Sequence, residues 1–209
     1  MIESLHLPLI LAAAFLASAS PGPSTMAIAG TSMNVGRRAG LVLALGIASG
    51  SLAWSTMAAL GMSAVMMANA WTFEVLRYAG AGYLIYLAIR AGRSALSSRA
   101  AETRNPGAAS FASTFGRGIA MHLTNPKAIL FFSALYSVGM PANATPAQLA
   151  LVIGCVGLQS LSIFVCYAML FSNPRMVRIY GRLRRGFEAT FALAFGYAGF
   201  RLLTARLTG

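Results

Sequence analysis

Two short stretches, SASPGPSTMA (residues 18–27) and HLTNPKAILFF (residues 122–132), set prolines, hydroxyls, an amide and a charge inside otherwise apolar runs. Proline lacks the backbone donor and displaces the carbonyl four residues before it, so Pro21 and Pro23 release polar main-chain groups. The hydroxyls of Ser20, Ser24 and Thr25 flank that break, and Gly22 lets another backbone come close. In the second stretch Thr124 and Asn125 offer side-chain hydrogen bonds, and Pro126 suits the first position of a new helix. That helix would point its N-terminal N–H groups and positive dipole end at the break, which favours an anion such as a carboxylate. Lys127 adds a formal charge there, although its four-carbon stem could also run back toward the surface near Arg117. These ten residues are the expected binding set. His122, the titratable imidazole beside a break, is a candidate proton carrier. Trp54, Gln159 and Ser160 are candidate pocket-lining residues.

The elements that must hold these groups are hydrophobic helices. Of the 209 residues, 57% are apolar and 10% charged, against roughly 45–50% and 25% in soluble domains. Six apolar runs emerge, at about 5–34, 39–67, 72–95, 115–139, 147–171 and 187–207, each near or above the roughly 20 residues that cross a bilayer. Arginines collect in alternate connections: Arg37 and Arg38; Arg90, Arg93, Arg99, Arg104 and Arg117; then Arg175, Arg178, Arg182, Arg184 and Arg185. Residues 68–71 and 140–146 carry none. The positive-inside rule puts the arginine-bearing connections in the cytoplasm and both termini outside.

The fold class expected is therefore an all-α integral membrane protein of six transmembrane helices in a single domain spanning residues 1–209. Residues 97–113 read as a cytoplasmic linker between a repeat at about 1–96 and a second at about 114–209. The two three-helix repeats are inverted, and helices 1 and 4 are broken at corresponding places. Paired breaks of this kind point to a transporter site at the bilayer midplane. The Gly46/Gly50 and Gly36/Gly40 spacings suit close helix packing and would permit a homodimer.

Other chemistries fit less well. The net charge of +12 lies in short clusters between apolar runs, so membrane topology explains it better than nucleic acid does. Cys155 and Cys166 fall about 16 Å apart on one helix, too far to bridge. The sequence has two histidines and no aspartate, and it offers no nucleophile–base pair, metal-ligand set or cofactor motif that would mark an enzyme. Glu3, Glu74, Glu102 and Glu188 all fall away from the centres of the expected helices, which leaves no evident buried carboxylate for proton transfer. Glu3, with no nearby Lys or Arg, also argues against a signal peptide.

The motifs SPGP, GRRAGL, YAGAGYLIYLAIRA and NPKAILFF, in this order, resemble the LysE/RhtB family of bacterial amino-acid exporters. The resemblance covers most of residues 5–140; beyond that only the hydropathy agrees. It implies six helices, residence in the bacterial inner membrane, and efflux of an amino acid or derivative driven by the proton gradient. Its partners would be the small amino-acid substrate, protons and the lipid bilayer, with no cofactor. The family motifs fall on Pro21, Gly22 and Pro23 and on Asn125, Pro126 and Lys127. One departure is SVGMPAN, residues 137–143, where the family often has a Pro-Gln-Phe-like ending, and it leaves substrate identity open. A lipid-handling protein of the same architecture is the alternative, since broken helices and a central lysine would also suit a phospholipid headgroup.

Overall fold

The computed structural model describes residues 5–68, 110–141 and 144–204, together with scattered positions between 78 and 96. Seven helices are bounded in these residues: α1 (Leu7–Ala19), α2 (Pro23–Asn34), α3 (Arg37–Ala68), α4 (Phe111–Leu123), α5 (Pro126–Gly139), α6 (Pro146–Phe171) and α7 (Pro174–Thr204). No strand occurs among the described residues. Glu3, Glu74, Glu102 and most of the 97–113 linker lie outside them. The described positions between 78 and 96 are helical, as expected of the third run.

Proline opens most of these helices. It sits in the first turn of α1, α2, α5 and α6, where its missing N–H costs nothing and its fixed φ already suits the helix. Side chains cap free donors at the starts of α5 and α6. Asn125 Oδ1 accepts from Lys127 N at 3.0 Å to start α5. Thr145 Oγ1 accepts from Gln148 N while Gln148 Oε1 accepts from Thr145 N, closing a capping box at α6. Gly36, at φ 112°, is the left-handed residue that turns the chain from α2 into α3.

Two helical stretches, Arg37–Gly61 and Pro146–Phe171, are each long and apolar enough to cross a membrane. The pair α1 and α2, bent by 49° at the Ser20–Gly22 break, meets the same test as one broken crossing. The expected fourth run likewise divides, into α4 and α5 at Thr124–Asn125.

The sequence reading differs from the structure at the arginine-rich segment 175–185. Expected to be a connection, it instead forms the opening turns of α7, leaving Ser172 and Asn173 between α6 and α7. Pro174 starts that helix, Asn173 Oδ1 accepts from Arg175 N at 2.9 Å, and arginine is itself a strong helix former. The same packing buries Glu188, 5% exposed, whose carboxylate stands 4.0 Å from Arg184 Nε. A buried carboxylate therefore does exist in this chain, contrary to the reading from sequence position.

Three apolar clusters hold the helices together. Ile10, Ala14 and Ala17 of α1 pack with Phe131, Phe132, Leu135 and Tyr136 of α5 and Val152 and Val156 of α6. Ile28 of α2 joins Leu43 and Ile47 of α3 and Phe164 of α6. Phe191 and Phe195 of α7 meet Ala81 and Ala91. Helices α3 and α4 touch almost backbone to backbone. A Cβ on Gly46 would sit 2.2 Å from Phe115 O, and one on Gly118 would sit 2.6 Å from Leu43 O. Without either glycine the axes would have to separate.

Candidate functional site

The two breaks meet. The carbonyls at the end of α1 lose helical partners where Pro21 and Pro23 interrupt the chain, and Ser20 together with side chains from other helices satisfies them. Ser20 N bonds Leu16 O at 2.9 Å. Ser20 Oγ donates to Ala17 O at 3.0 Å. Tyr167 of α6 donates its hydroxyl to Ala19 O at 2.6 Å. Lys127, in the first turn of α5, donates its ammonium to Ser20 O at 3.2 Å and also to Ser20 Oγ. Lys127 thus reaches from the second break to the first.

Gly22 makes room for that reach, since a Cβ there would meet Lys127 Nζ at 3.2 Å. On its far side the ammonium faces the Phe195 ring, 5.9 Å from its centroid, within range of a cation–π attraction. Asn125 has two tasks. Its Oδ1 caps α5, and its Nδ2 donates to Ser24 Oγ at 3.3 Å. Ser24 Oγ in turn pairs with His122 Nδ1 at 3.1 Å. The other ring nitrogen, His122 Nε2, is buried with no hydrogen-bond partner among the described residues. Gly50 allows this imidazole its place, because a Cβ there would come within 2.9 Å of His122 Cβ.

Around these groups lies one small cavity, lined on its polar side by Ser20, Gly22, Ser24, Thr25, His122, Asn125 and Lys127. Ala17, Ala128, Phe131, Phe132 and Phe164 form its apolar wall, and Ser18 and Ser51 complete the lining. Its volume of about 40 Å³ admits a few waters at roughly 10–15 Å³ each, so an organic solute would require the walls to part.

Pro21, Pro23, Thr124, Trp54, Gln159 and Ser160 stand outside the lining of this cavity. Pro21 is half-buried and Pro23 exposed, and both shape the bend. Pro126 opens α5. Thr124 is exposed and returns its hydroxyl to Ala120 O at 2.8 Å. Trp54 Nε1 donates to Leu123 O at 3.2 Å, satisfying a carbonyl at the end of α4. Gln159 Nε2 donates to Leu11 O at 3.1 Å, and Ser160 Oγ pairs with Ser18 Oγ at 3.3 Å, so both tie α6 to α1. Sequence reasoning missed Tyr167, Ser51 and the aromatic wall. Nothing in an apolar run distinguishes a phenylalanine that faces a cavity from one that faces lipid.

Comparison with known proteins shows the family to which the chain belongs. The LysE type translocator family matches residues 15–206. A threonine efflux protein of Salmonella typhi is 28% identical over 189 residues, covering 90% of this chain and 92% of its own. The threonine efflux protein of Escherichia coli K12 is 27% identical over the same shares. The uncharacterized membrane protein YahN of Escherichia coli K12 is 30% identical, covering 90% of this chain and 85% of its own. No solved structure matches. With its apolar helices and this match over most of its length, the chain is a multi-pass protein of the bacterial inner membrane and belongs to the LysE type translocator family.

Proposed function

We propose that this translocator exports small neutral amino acids of the threonine type, coupled to the proton gradient, through a site at the two helix breaks. The observation that carries the proposal is the bridge from Lys127 Nζ to Ser20, which joins the interruptions of two separate helices around one polar cavity. A zwitterion fits such a place. Its carboxylate would meet the N-terminal end of α5 and the Lys127 ammonium. Its ammonium would take the carbonyl and hydroxyl oxygens at the end of α1. The apolar wall of Ala128, Phe131 and Phe164 suits a short side chain better than a charged one. Relatives that carry the name threonine efflux protein, similar over nine-tenths of the chain, support the same substrate class.

Ser24 Oγ accepts from Asn125, so its own proton is available to His122 Nδ1. The imidazole would then carry its hydrogen on Nε2, a buried donor beside the cavity. That makes His122 the residue we assign to proton exchange during the cycle. The architecture we favour is six crossings arranged as two inverted repeats, at about 1–96 and 114–209.

Proteoliposomes loaded with labelled threonine, homoserine, leucine or lysine test the proposal. Threonine and homoserine should leave faster when an inward proton gradient is imposed, and lysine should not. Lys127→Met should reduce threonine efflux by about tenfold or more, as expected for losing a charged partner of the carboxylate. Lipid scrambling without amino-acid efflux would overturn the reading in favour of a lipid-handling protein.

A further inference from the structure

The ammonium of Lys127 already stands where the amino group of a substrate would have to go. The last turn of α1 offers a set of carbonyls released by the proline break, and the chain's own donors occupy them. Ala17 O is held by Ser20 Oγ, Ala19 O by Tyr167, and Ser20 O by Lys127 at 3.2 Å with the Thr25 hydroxyl at a longer 3.4 Å. Ser20 Oγ, the hydroxyl in the same corner, also accepts from Lys127. Beside them the cavity holds about 40 Å³, so an incoming ammonium has no position there until one of these donors leaves. Tyr167 is tied to the framework through its stacked ring, 5.5 Å from Phe171. Lys127 is the donor on a long flexible stem.

The choice of residue points the same way. Of the sixteen lysines and arginines in the chain, Lys127 is the one lysine. An alkylammonium has the compact, three-donor head of an amino acid's α-ammonium, which the planar guanidinium fork of arginine does not. A second feature marks the place as a binding site rather than a helix terminus alone. His122, 5% exposed, lines the same cavity with Nε2 unpartnered among the described residues.

We infer that Lys127 is a tethered stand-in for the substrate's ammonium: it fills the Ser20 position while the site is empty, and an arriving amino acid displaces it. Displacement frees the lysine to meet the same molecule's carboxylate, so loading and release of the lysine bridge between α1 and α5 are one event. A solute carrying both charges opens the bridge most readily, because it supplies the lysine with a carboxylate in place of Ser20. A monoamine would displace the lysine without supplying a carboxylate, so the site should favour zwitterions over simple amines. The inference rests on the site proposed above for amino-acid export.

Ethylammonium chloride, titrated against matched sodium chloride, is the probe, and thermal unfolding of the purified full-length protein is the readout. Lys127→Ala vacates the position, so it should bind ethylammonium at least about tenfold more tightly than the wild type, the worth of one charge-assisted contact. Equal affinity in the two proteins overturns the inference. Should Lys127→Ala fail to fold, the lone lysine allows a measurement on the wild type. Acetylation of Lys127, read by mass spectrometry as the modified fraction of its peptide and compared with matched sodium chloride, should rise by roughly threefold or more in saturating ethylammonium. An unchanged fraction overturns the inference as well. Threonine efflux from wild-type proteoliposomes separates the two levels: intact efflux with unchanged ethylammonium affinity removes only the stand-in role, whereas absent efflux removes the export reading beneath it.

Discussion

Tyr167 shows how a single hydroxyl sustains an interrupted helix. Its bond to Ala19 O is 2.6 Å long, and the carbonyl it satisfies lies four residues before Pro23, which has no N–H to offer it. In a membrane such a group must find a protein partner or a watery cavity. Tyr167→Phe keeps the ring stacked on Phe171 and removes only that donor. We expect it to destabilise the protein by about 1–3 kcal/mol, the usual cost of leaving a buried acceptor unmet, and to slow threonine efflux. Thermal unfolding and proteoliposome flux together check this, and wild-type values in both would show that the carbonyl has another partner. The polar residues around the breaks were legible in the sequence because a hydroxyl, amide or charge is conspicuous in an apolar run. Tyr167 was not, since it sits among Phe164, Cys166, Ala168 and Phe171 with nothing local to separate it from packing residues. Thr124 illustrates the opposite error of reach. Its type and position suggested a pocket, yet its hydroxyl returns to Ala120 O one turn back, as threonines in helices often do.

At the scale of elements, the interface of α3 and α4 fixes where His122 stands. Three glycines, Gly46, Gly50 and Gly118, bring the two backbones together, and each would drive a Cβ into the neighbouring helix. Gly154 of α6, by contrast, has no atom within 4 Å of an added Cβ. Gly118→Ala should therefore lower stability by about 1–3 kcal/mol, as overpacking does, while Gly154→Ala should be neutral or slightly stabilising because alanine is the better helix former. Parallel thermal unfolding of the two variants in the same detergent tests the contrast, and equal midpoints would count against backbone contact at α3 and α4. Both helix breaks could be read from proline placement and run length, because Pro21, Pro23 and Pro126 act locally through covalent geometry. The start of α7 could not. Charge density suggested a connection at 175–185, but arginine favours helix as strongly as it favours water, and only packing against α6 reveals which wins. Edge contact of Phe171 with Tyr180, 4.9 Å between ring centroids, is part of that packing.

For the whole molecule, orientation follows from where the charges end up. Helix α3 begins at Arg37 and Arg38, and α6 ends just before the arginines that open α7. Both crossings thus have an arginine-rich end, while the turn that leads into α6 carries no charge between residues 140 and 146. With a translocation cost of a few kcal/mol per arginine at the bilayer centre, the positive-inside rule predicts that the arginine-bearing ends stay in the cytoplasm. Length is consistent with this, since the 26 residues of α6 extend about 39 Å as a helix, enough to cross a hydrocarbon layer of about 30 Å with some tilt. Single cysteines in a Cys155→Ser/Cys166→Ser background test the orientation in intact cells. Ala147→Cys, exposed in the first turn of α6, should react with a membrane-impermeant maleimide added outside. Met176→Cys, exposed beside Arg175 in α7, should react only after the inner membrane is opened. The reverse pattern would put the arginines outside and invert the direction of the proposed export path. Reaction of both residues from one side would remove α6 as a crossing, and with it the wall that Phe164 and Tyr167 give the site.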